Sequence, residues 1–263
     1  VFLETTNNFS FNIDSKRKVK DLTIKSNLVF DKIFVNKKYQ DLIYLKDGKI
    51  ETEYSNKNLY IKVDSDYSFL NEKYNSQDDK KHIKINIKKN NNDNLKVDSL
   101  LKNKKTKINS KELSKYFQIN KKYFKDQTII FGSDSKINFN IDKNNKVKNL
   151  KIKSNINFKN LKIDYISSKL KKRIPNYKDH IFLNSEYLEL DHKNNKTQIK
   201  AKGKYSFNDK FDDYEINIIN QKDKYQFESS INLKNNTFTI EEIDYNKSKN
   251  ISSIIKLKGN YIK

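Results

Sequence analysis

The sequence predicts an all-β, mainly antiparallel protein with a few short helices, its sheet extended by repeated hairpins. Three observations carry this. Apolar and polar residues alternate along most of the chain, as in His82-Ile83-Lys84-Ile85-Asn86-Ile87-Lys88, which puts three Ile on one face of a strand. The segments between the alternating runs are rich in Asn, Asp and Lys, although the chain has only four Gly and one Pro. Asn and Asp tolerate left-handed backbone angles and bond to their own chain, so they can stand in for Gly at turns. Finally, one block is written twice. Phe11 to Phe30 reads FNIDSKRKVKDLTIKSNLVF and Phe139 to Phe158 reads FNIDKNNKVKNLKIKSNINF, with 13 of 20 positions identical. Such a repeat points to modular construction and to function spread over an extended surface.

The elements follow in order. Phe9, Phe11 and Ile13 share one face of a first strand, and Asp14 to Lys18 turns the chain into a strand near 22–30. Short strands are expected at 42–45 and 49–54, with Lys46-Asp47-Gly48 as the turn between them. A strand at 59–69 precedes a charged loop, Asn71 to Lys81, and the 82–88 strand ends in a turn from Asn90 to Asn94. Ser110 can cap a short helix in which Leu113, Tyr116 and Phe117 share a face. Gly132 marks a strand start or turn. Strands near 137–141 and 150–158 flank Asp142 to Lys146. A second helix spans Ile166 to Ile174, with Ile166, Leu170 and Ile174 four apart and Pro175 as its stop. Strands near 186–191, 199–207, 214–219, 225–233, 237–243 and 251–257 follow. Their turns are Lys193 to Lys196, Asn208 to Asp213 and Asn235-Asn236. The length suits two units, divided here as 1–125 and 126–263.

Composition narrows the class. Hydrophobic residues make up 35%, lean for a thick core, yet the 16 Phe and 16 Tyr argue against disorder. This suits thin sheets with one dry face. A single sheet of that kind cannot leave its apolar face in water; it must pack on a second sheet, bend around the short helices, or hold something greasy. The formal charge is +22, but 53 of the 55 basic residues are Lys, spread evenly among 38 Asn. Base and phosphate recognition favours the planar fork of Arg, here only Arg17 and Arg173. Rings and cations alternate in Lys204-Tyr205-Ser206-Phe207 and Lys224-Tyr225-Gln226-Phe227, so the strand period sends them to opposite faces. A single-strand nucleic-acid platform needs them on one face, and no specific nucleic acid is expected. An anionic membrane surface is an alternative partner for the Lys excess.

No chemistry of catalysis stands out, and the chain reads as a non-enzyme. There is no Cys, so disulfides, thiolate metal sites and Cys nucleophiles are excluded. His82, His180 and His192 lack metal-ligand spacing, so neither a metal nor a cofactor is expected. Asp78-Asp79 and Asp212-Asp213 read as acidic pairs that solvate turns. Phosphate-binding loops, nucleotide fingerprints and Ser elbows are missing. No stretch approaches the roughly 18 apolar residues of a membrane span. The lack of Met even at position 1 reads as a piece of a longer polypeptide.

The two FNID…VKxLxIKSNxxF blocks, with Lys111-Glu112-Leu113-Ser114-Lys115-Tyr116-Phe117 and Leu170-Lys171-Lys172-Arg173-Ile174-Pro175 as short helical insertions, resemble the AsmA-like bacterial envelope proteins, especially the YhdP-type and TamB-like members. The resemblance is diffuse and covers most of the chain. It implies a curved, groove-forming, elongated sheet in the periplasmic part of a protein anchored in the inner membrane. It further implies an apolar groove for phospholipid or another acyl-chain lipid, carried toward the outer membrane or used in its assembly with envelope protein partners. It offers no catalytic residues. The lining would be drawn from Phe11, Ile13, Leu22, Ile24, Phe139, Ile141, Leu150, Ile152, Ile199, Tyr205, Phe207 and Phe227. A structural or adhesive β-rich module without ligand, and a Lys-rich polyanion-binding module, are the alternatives.

Overall fold

The computed structural model describes residues 2–34, 43–69, 81–89, 94–110, 127–208 and 210–262. Thirteen strands form one antiparallel sheet: β1 (Leu3–Ile13), β2 (Val19–Phe34), β3 (Ile43–Ser55), β4 (Asn58–Phe69), β5 (Lys81–Lys89), β6 (Leu95–Asn109), β7 (Thr128–Ile141), β8 (Val147–Asp164), β9 (His180–Lys193), β10 (Lys196–Ser206), β11 (Asp212–Gln221), β12 (Lys224–Asn232) and, after an insertion, β15 (Ile254–Ile262). Each strand pairs with the one before it, and β1 and β15 are edges, so the sheet does not close into a barrel. The insertion carries the two-stranded β13 (Phe238–Ile240) and β14 (Tyr245–Lys247), and a short helix α1 (Ser168–Arg173) precedes β9. The all-β, antiparallel expectation is met.

Two compact units divide the chain: residues 1–104 with 133–153, and residues 105–132 with 154–263. The boundary expected near 125–126 lies outside the described residues, as do the helix expected after Ser110, the loop expected over most of 71–81 and the turn expected at 90–93. Both copies of the repeated block therefore fall largely in the first unit.

The repeat is a hairpin whose two copies share one set of tip bonds. Asp14 Oδ1 accepts the N–H of Lys16 at 2.8 Å and of Lys18 at 2.9 Å; Asp142 Oδ1 accepts those of Asn144 and Lys146, both at 2.9 Å. The N–H groups of Arg17 and Asn145 donate to the carbonyls of Asp14 and Asp142, each at 2.9 Å. These backbone donors, chiefly Lys18, hold the Asp14 carboxyl below its ordinary range. Among the described residues fifteen non-Gly positions have positive φ, seven of them Asn and four Asp, while no Gly does. Asn and Asp thus do the work usually left to Gly. Asn56-Lys57 and Asn194-Asn195 supply two successive left-handed residues at two-residue hairpin tips.

Three expected boundaries are corrected. Lys46-Asp47-Gly48 is not a turn but a bulge inside β3, where pairing with β4 slips between Lys46 and Lys49 and Asp47 has φ 49°. Gly132 lies within β7 rather than at a start or turn. In the 237–243 run only Phe238–Ile240 is extended, and Glu241–Ile243 forms a 3-10 turn. Among the described residues of unit 1, Phe30 is the most buried large side chain; its ring lies over Gly48, its cross-strand partner.

Unit 2 has a closed core. Ile174, Tyr177, Ala201, Tyr205, Phe207, Tyr214 and Leu233 pack together, with Leu170 of α1 and Phe238 of β13 against them. Ser167 caps α1, its hydroxyl accepting the Leu170 N–H at 3.2 Å. Arg173 grips Glu242 through both guanidinium nitrogens at 2.5 Å, joining α1 to the insertion. Burial pushes the phenol of Tyr177 up to about 12, and raises Tyr205 and Tyr214 as well. An unfolded Tyr loses its proton near pH 10, so between pH 10 and about 12 the unfolded chain has shed protons that the native core retains. Stability is therefore full below pH 10 and falls as pH rises, each unit of pKa difference contributing about 1.4 kcal/mol. A melting series over this range, read with phenolate absorbance, should show one transition that moves steeply down. Tyr205→Phe should flatten that slope. An unchanged slope would rule out the Tyr205 phenol as a contributor.

Candidate functional site: an apolar lane on one sheet face

Antiparallel pairing puts directly opposed residues on the same face, so the register assigns each side chain to a lane. In unit 1, Thr5, Leu28, Ile50, Val63, Ile85 and Ser99 form one cross-strand row. The next row is Asn7, Ser26, Thr52, Ile61, Ile87 and Val97. Beyond it lie Phe9, Ile24, Tyr54, Leu59, Lys89 and Leu95. Apolar side chains dominate this face. Ile24, Leu28, Ile50, Ile61, Ile83, Ile85 and Ile87 are half-buried, and among the described residues of unit 1 only Phe30, Val63, Tyr67 and Val97 are buried apolar residues. The described strands of unit 1 all belong to the one sheet.

The opposite face is ionic. Its rows run Asn27, Glu51, Lys62, Asn86, Asp98 and Lys25, Glu53, Tyr60, Lys88, Lys96. Glu51 pairs with Lys49 at 2.6 Å and Lys62 at 3.1 Å, and Lys25 with Glu53 at 3.4 Å. The two lysines lower the Glu51 pKa, and Glu51 in turn raises that of Lys62. His82 lies on this face as expected, its Nε2 3.0 Å from Asp64 and its Nδ1 2.9 Å from Asp66. Among the described residues no three His, Asp or Glu side chains gather as a metal site. No described helix is long and apolar enough to cross a membrane.

The expected lining residues divide into three groups. Phe11, Ile13, Leu22 and Ile24 lie on the first copy of the hairpin, the first two exposed by 51% and 63% on the edge strand, the others half-buried. Phe139, Ile141, Leu150 and Ile152 hold the same positions in the second copy and are all half-buried. Contacts between β6 and β7 set their register: Asp98 accepts from Asn138 Nδ2 at 2.6 Å, the Ser99 hydroxyl donates to the Ile137 carbonyl at 3.2 Å, and Asn103 Nδ2 donates to Ser133 Oγ at 2.5 Å. This puts Phe139 opposite Val97 and Ile141 opposite Leu95, on the apolar lane. In unit 2, Ile199 and Phe227 share a face through Ile218, and Phe227 is 41% exposed. Tyr205 and Phe207, however, are 3% and 8% exposed and belong to the closed core. They are packed under α1 and the insertion and line no groove, because the chain folds its own apolar residues over that end of the face.

The separation of rings and cations holds at Lys204, which faces Asp213 while Tyr205 is buried. It fails elsewhere: Lys32 Nζ lies 4.2 Å from the Tyr44 ring centre and 5.0 Å from that of Phe34, and Lys88 lies 5.5 Å from that of Tyr60. Asp212 also departs from expectation. It is 4% exposed and accepts from the Asn235 N–H at 3.0 Å, Asn235 Nδ2 at 3.0 Å and Asn236 Nδ2 at 2.8 Å, while Asp213 stays in solvent. A hollow of about 850 Å³ in unit 2 opens on the charged face, bordered by Lys200, Lys202, Lys256, Lys258, Glu215 and Glu228. It presents no nucleophile–base pair. Comparison with family profiles, curated proteins and solved structures returns no match for this chain.

Proposed function

We propose that this chain is a module of the periplasmic part of an inner-membrane-anchored envelope protein of the AsmA-like kind, whose apolar lane takes phospholipid acyl chains for transport or outer-membrane assembly. The observation that supports this is the half-covered lane of unit 1, continuous in register from β1 to β6 and backed by an ionic face. An acyl chain lying on it gains about 0.8 kcal/mol per buried methylene. The closed core of unit 2 favours a purely structural role for that end of the sheet.

The test is lipid extraction from the purified chain with mass spectrometry. The wild type should retain phospholipid at high salt. Ile61→Lys with Ile85→Lys places two charges on the lane and should reduce retention by about tenfold or more. Lys62→Gln on the ionic face should leave it unchanged. Equal retention by the wild type and the lane variant would end the proposal, as would a wild type carrying no acyl lipid above background.

A further inference from the structure

The ionic face of the sheet is not neutralised evenly. In unit 1 its lysines close on neighbouring carboxylates, as Lys49 and Lys62 do on Glu51, Lys25 on Glu53 at 3.4 Å and Lys84 on Asp64 at 3.0 Å. In unit 2 the hollow of about 850 Å³ breaks that habit. Two adjacent cross-strand rows build it. One runs Lys202, Glu215, Ser230 and Lys256; the next runs Lys200, Asn217, Glu228 and Lys258. Each row therefore starts with a lysine on β10 and ends with a lysine on β15, and the polar residues of β11 and β12 lie between. The hollow has a pair of lysines on either side, about 14 Å apart at the backbone. Its floor carries two carboxylates, an amide and a hydroxyl.

Among the described residues, none of these four lysines and neither glutamate makes an ion pair or a side-chain hydrogen bond. Yet Lys202 stands directly opposite Glu215, and Lys258 opposite Glu228. One row away, Lys204 does close on Asp213, at 3.2 Å. Four cations and two carboxylates thus face one concavity with their charges open. Two carboxylates at the centre repel a bare polyanion, and a neutral sugar leaves the lysines unused. Hydroxyls flanked by phosphates suit both parts, since hydroxyls donate to carboxylates and an ammonium group takes phosphate as a point charge.

We propose that this hollow binds a phosphorylated saccharide, its phosphates held by the lysines on either side and its hydroxyls donating to Glu215 and Glu228. The site lies on the ionic face of unit 2 and does not depend on the lipid reading.

The probes are glucose bisphosphate, phosphorylated at both ends of the hexose, with inorganic pyrophosphate and glucose as comparisons, each titrated into the intact chain by calorimetry. Glucose bisphosphate should bind saturably and at least about tenfold more tightly than either comparison. Lys202→Gln with Lys256→Gln should weaken it by about tenfold or more, whereas Lys25→Gln with Lys96→Gln, an equal change of charge in unit 1, should not. All four positions are exposed, so these variants leave the buried core intact. Glu228→Gln gives the sharpest reading, because its sign separates two accounts. A carboxylate that accepts sugar hydroxyls makes the variant weaker, while a purely Coulombic trap for anions makes it tighter. Tightening by Glu228→Gln overturns the proposal. So does pyrophosphate binding as tightly as the sugar, an equal loss in the unit 1 variant, or no saturable binding of glucose bisphosphate.

Discussion

Asp212→Ala should lower the stability of unit 2 by roughly 3–5 kcal/mol, far more than any surface carboxylate of this chain. Its carboxylate is 4% exposed and receives the backbone and side-chain N–H groups of Asn235 and the side-chain amide of Asn236. Truncation takes the acceptor from three donors, all on Asn235 and Asn236, which open the insertion; the Asn235 side-chain amide keeps the Phe211 carbonyl at 3.0 Å, and each donor left stranded costs about 1–3 kcal/mol. Lys247 makes the loss larger. It is 5% exposed, donates to the Asn236 carbonyl at 2.7 Å and the Ser248 carbonyl at 3.0 Å, and its pKa is lowered by burial while Asp212 opposes that shift. Without Asp212 the buried ammonium loses that opposing charge. Lys247→Met in the Asp212→Ala background should therefore recover part of the loss. Asp213→Ala, next in sequence but exposed against Lys204, should change stability by no more than about 0.5 kcal/mol. Urea denaturation of the four proteins decides it. Equal effects at the two aspartates would refute the buried-network account.

The strands were legible wherever apolar alternation kept its phase, and misread where the phase slipped. In β3 the apolar positions change parity between Leu45 and Ile50, which looks like the end of one strand and the start of another; the strand continues through a bulge at Asp47. β2 repeats this between Val19 and Leu22 at Asp21, φ 52°, and β8 does so at Asn149, φ 53°, and Asn160, φ 62°. A parity slip flanking an Asn or Asp is thus a bulge signal, since one extra residue returns the later side chains to the same face. β6 escaped notice because Lys and Asn crowd its alternation of Leu95, Val97 and Leu101. The lane was legible as a lane, since pairing neighbouring strands needed only their hydrophobic phase. The capping of Tyr205 and Phe207 was not. It depends on contacts with residues up to about thirty positions away, as in the Tyr205 hydroxyl donating to the Asn232 carbonyl at 2.7 Å, and no local pattern encodes these.

The same Gly→Ala substitution should have opposite outcomes at two places in the sheet. At Gly203 it should be severe, about 3 kcal/mol or more, because a Cβ there would sit 2.1 Å from the Asn184 carbonyl oxygen and 2.9 Å from Ser185 Cα. Both are backbone atoms of β9 at the point where its pairing slips between Lys202 and Gly203. That slip has a purpose visible in the sequence. Ile181 and Leu183 are odd-numbered and Leu188 and Leu190 even-numbered, yet Leu183 pairs with Tyr205 while Leu188 and Leu190 pair with Ala201 and Ile199, all on one face. The bulge keeps both halves of β9 on the core side, and Gly203 leaves the room it needs. Relief would require shifting the strand, which would drag Leu183 away from Tyr205. At Gly259 the would-be Cβ meets only the ring of its partner Phe227, at 2.7 Å. That ring is 41% exposed and can rotate away, and Ala is preferred over Gly inside a strand by roughly 0.5–1 kcal/mol. Gly259→Ala should therefore leave the melting temperature unchanged or slightly raised, while Gly203→Ala lowers it by many degrees. If both variants melt together, the close approach of β9 is not what makes Gly203 necessary.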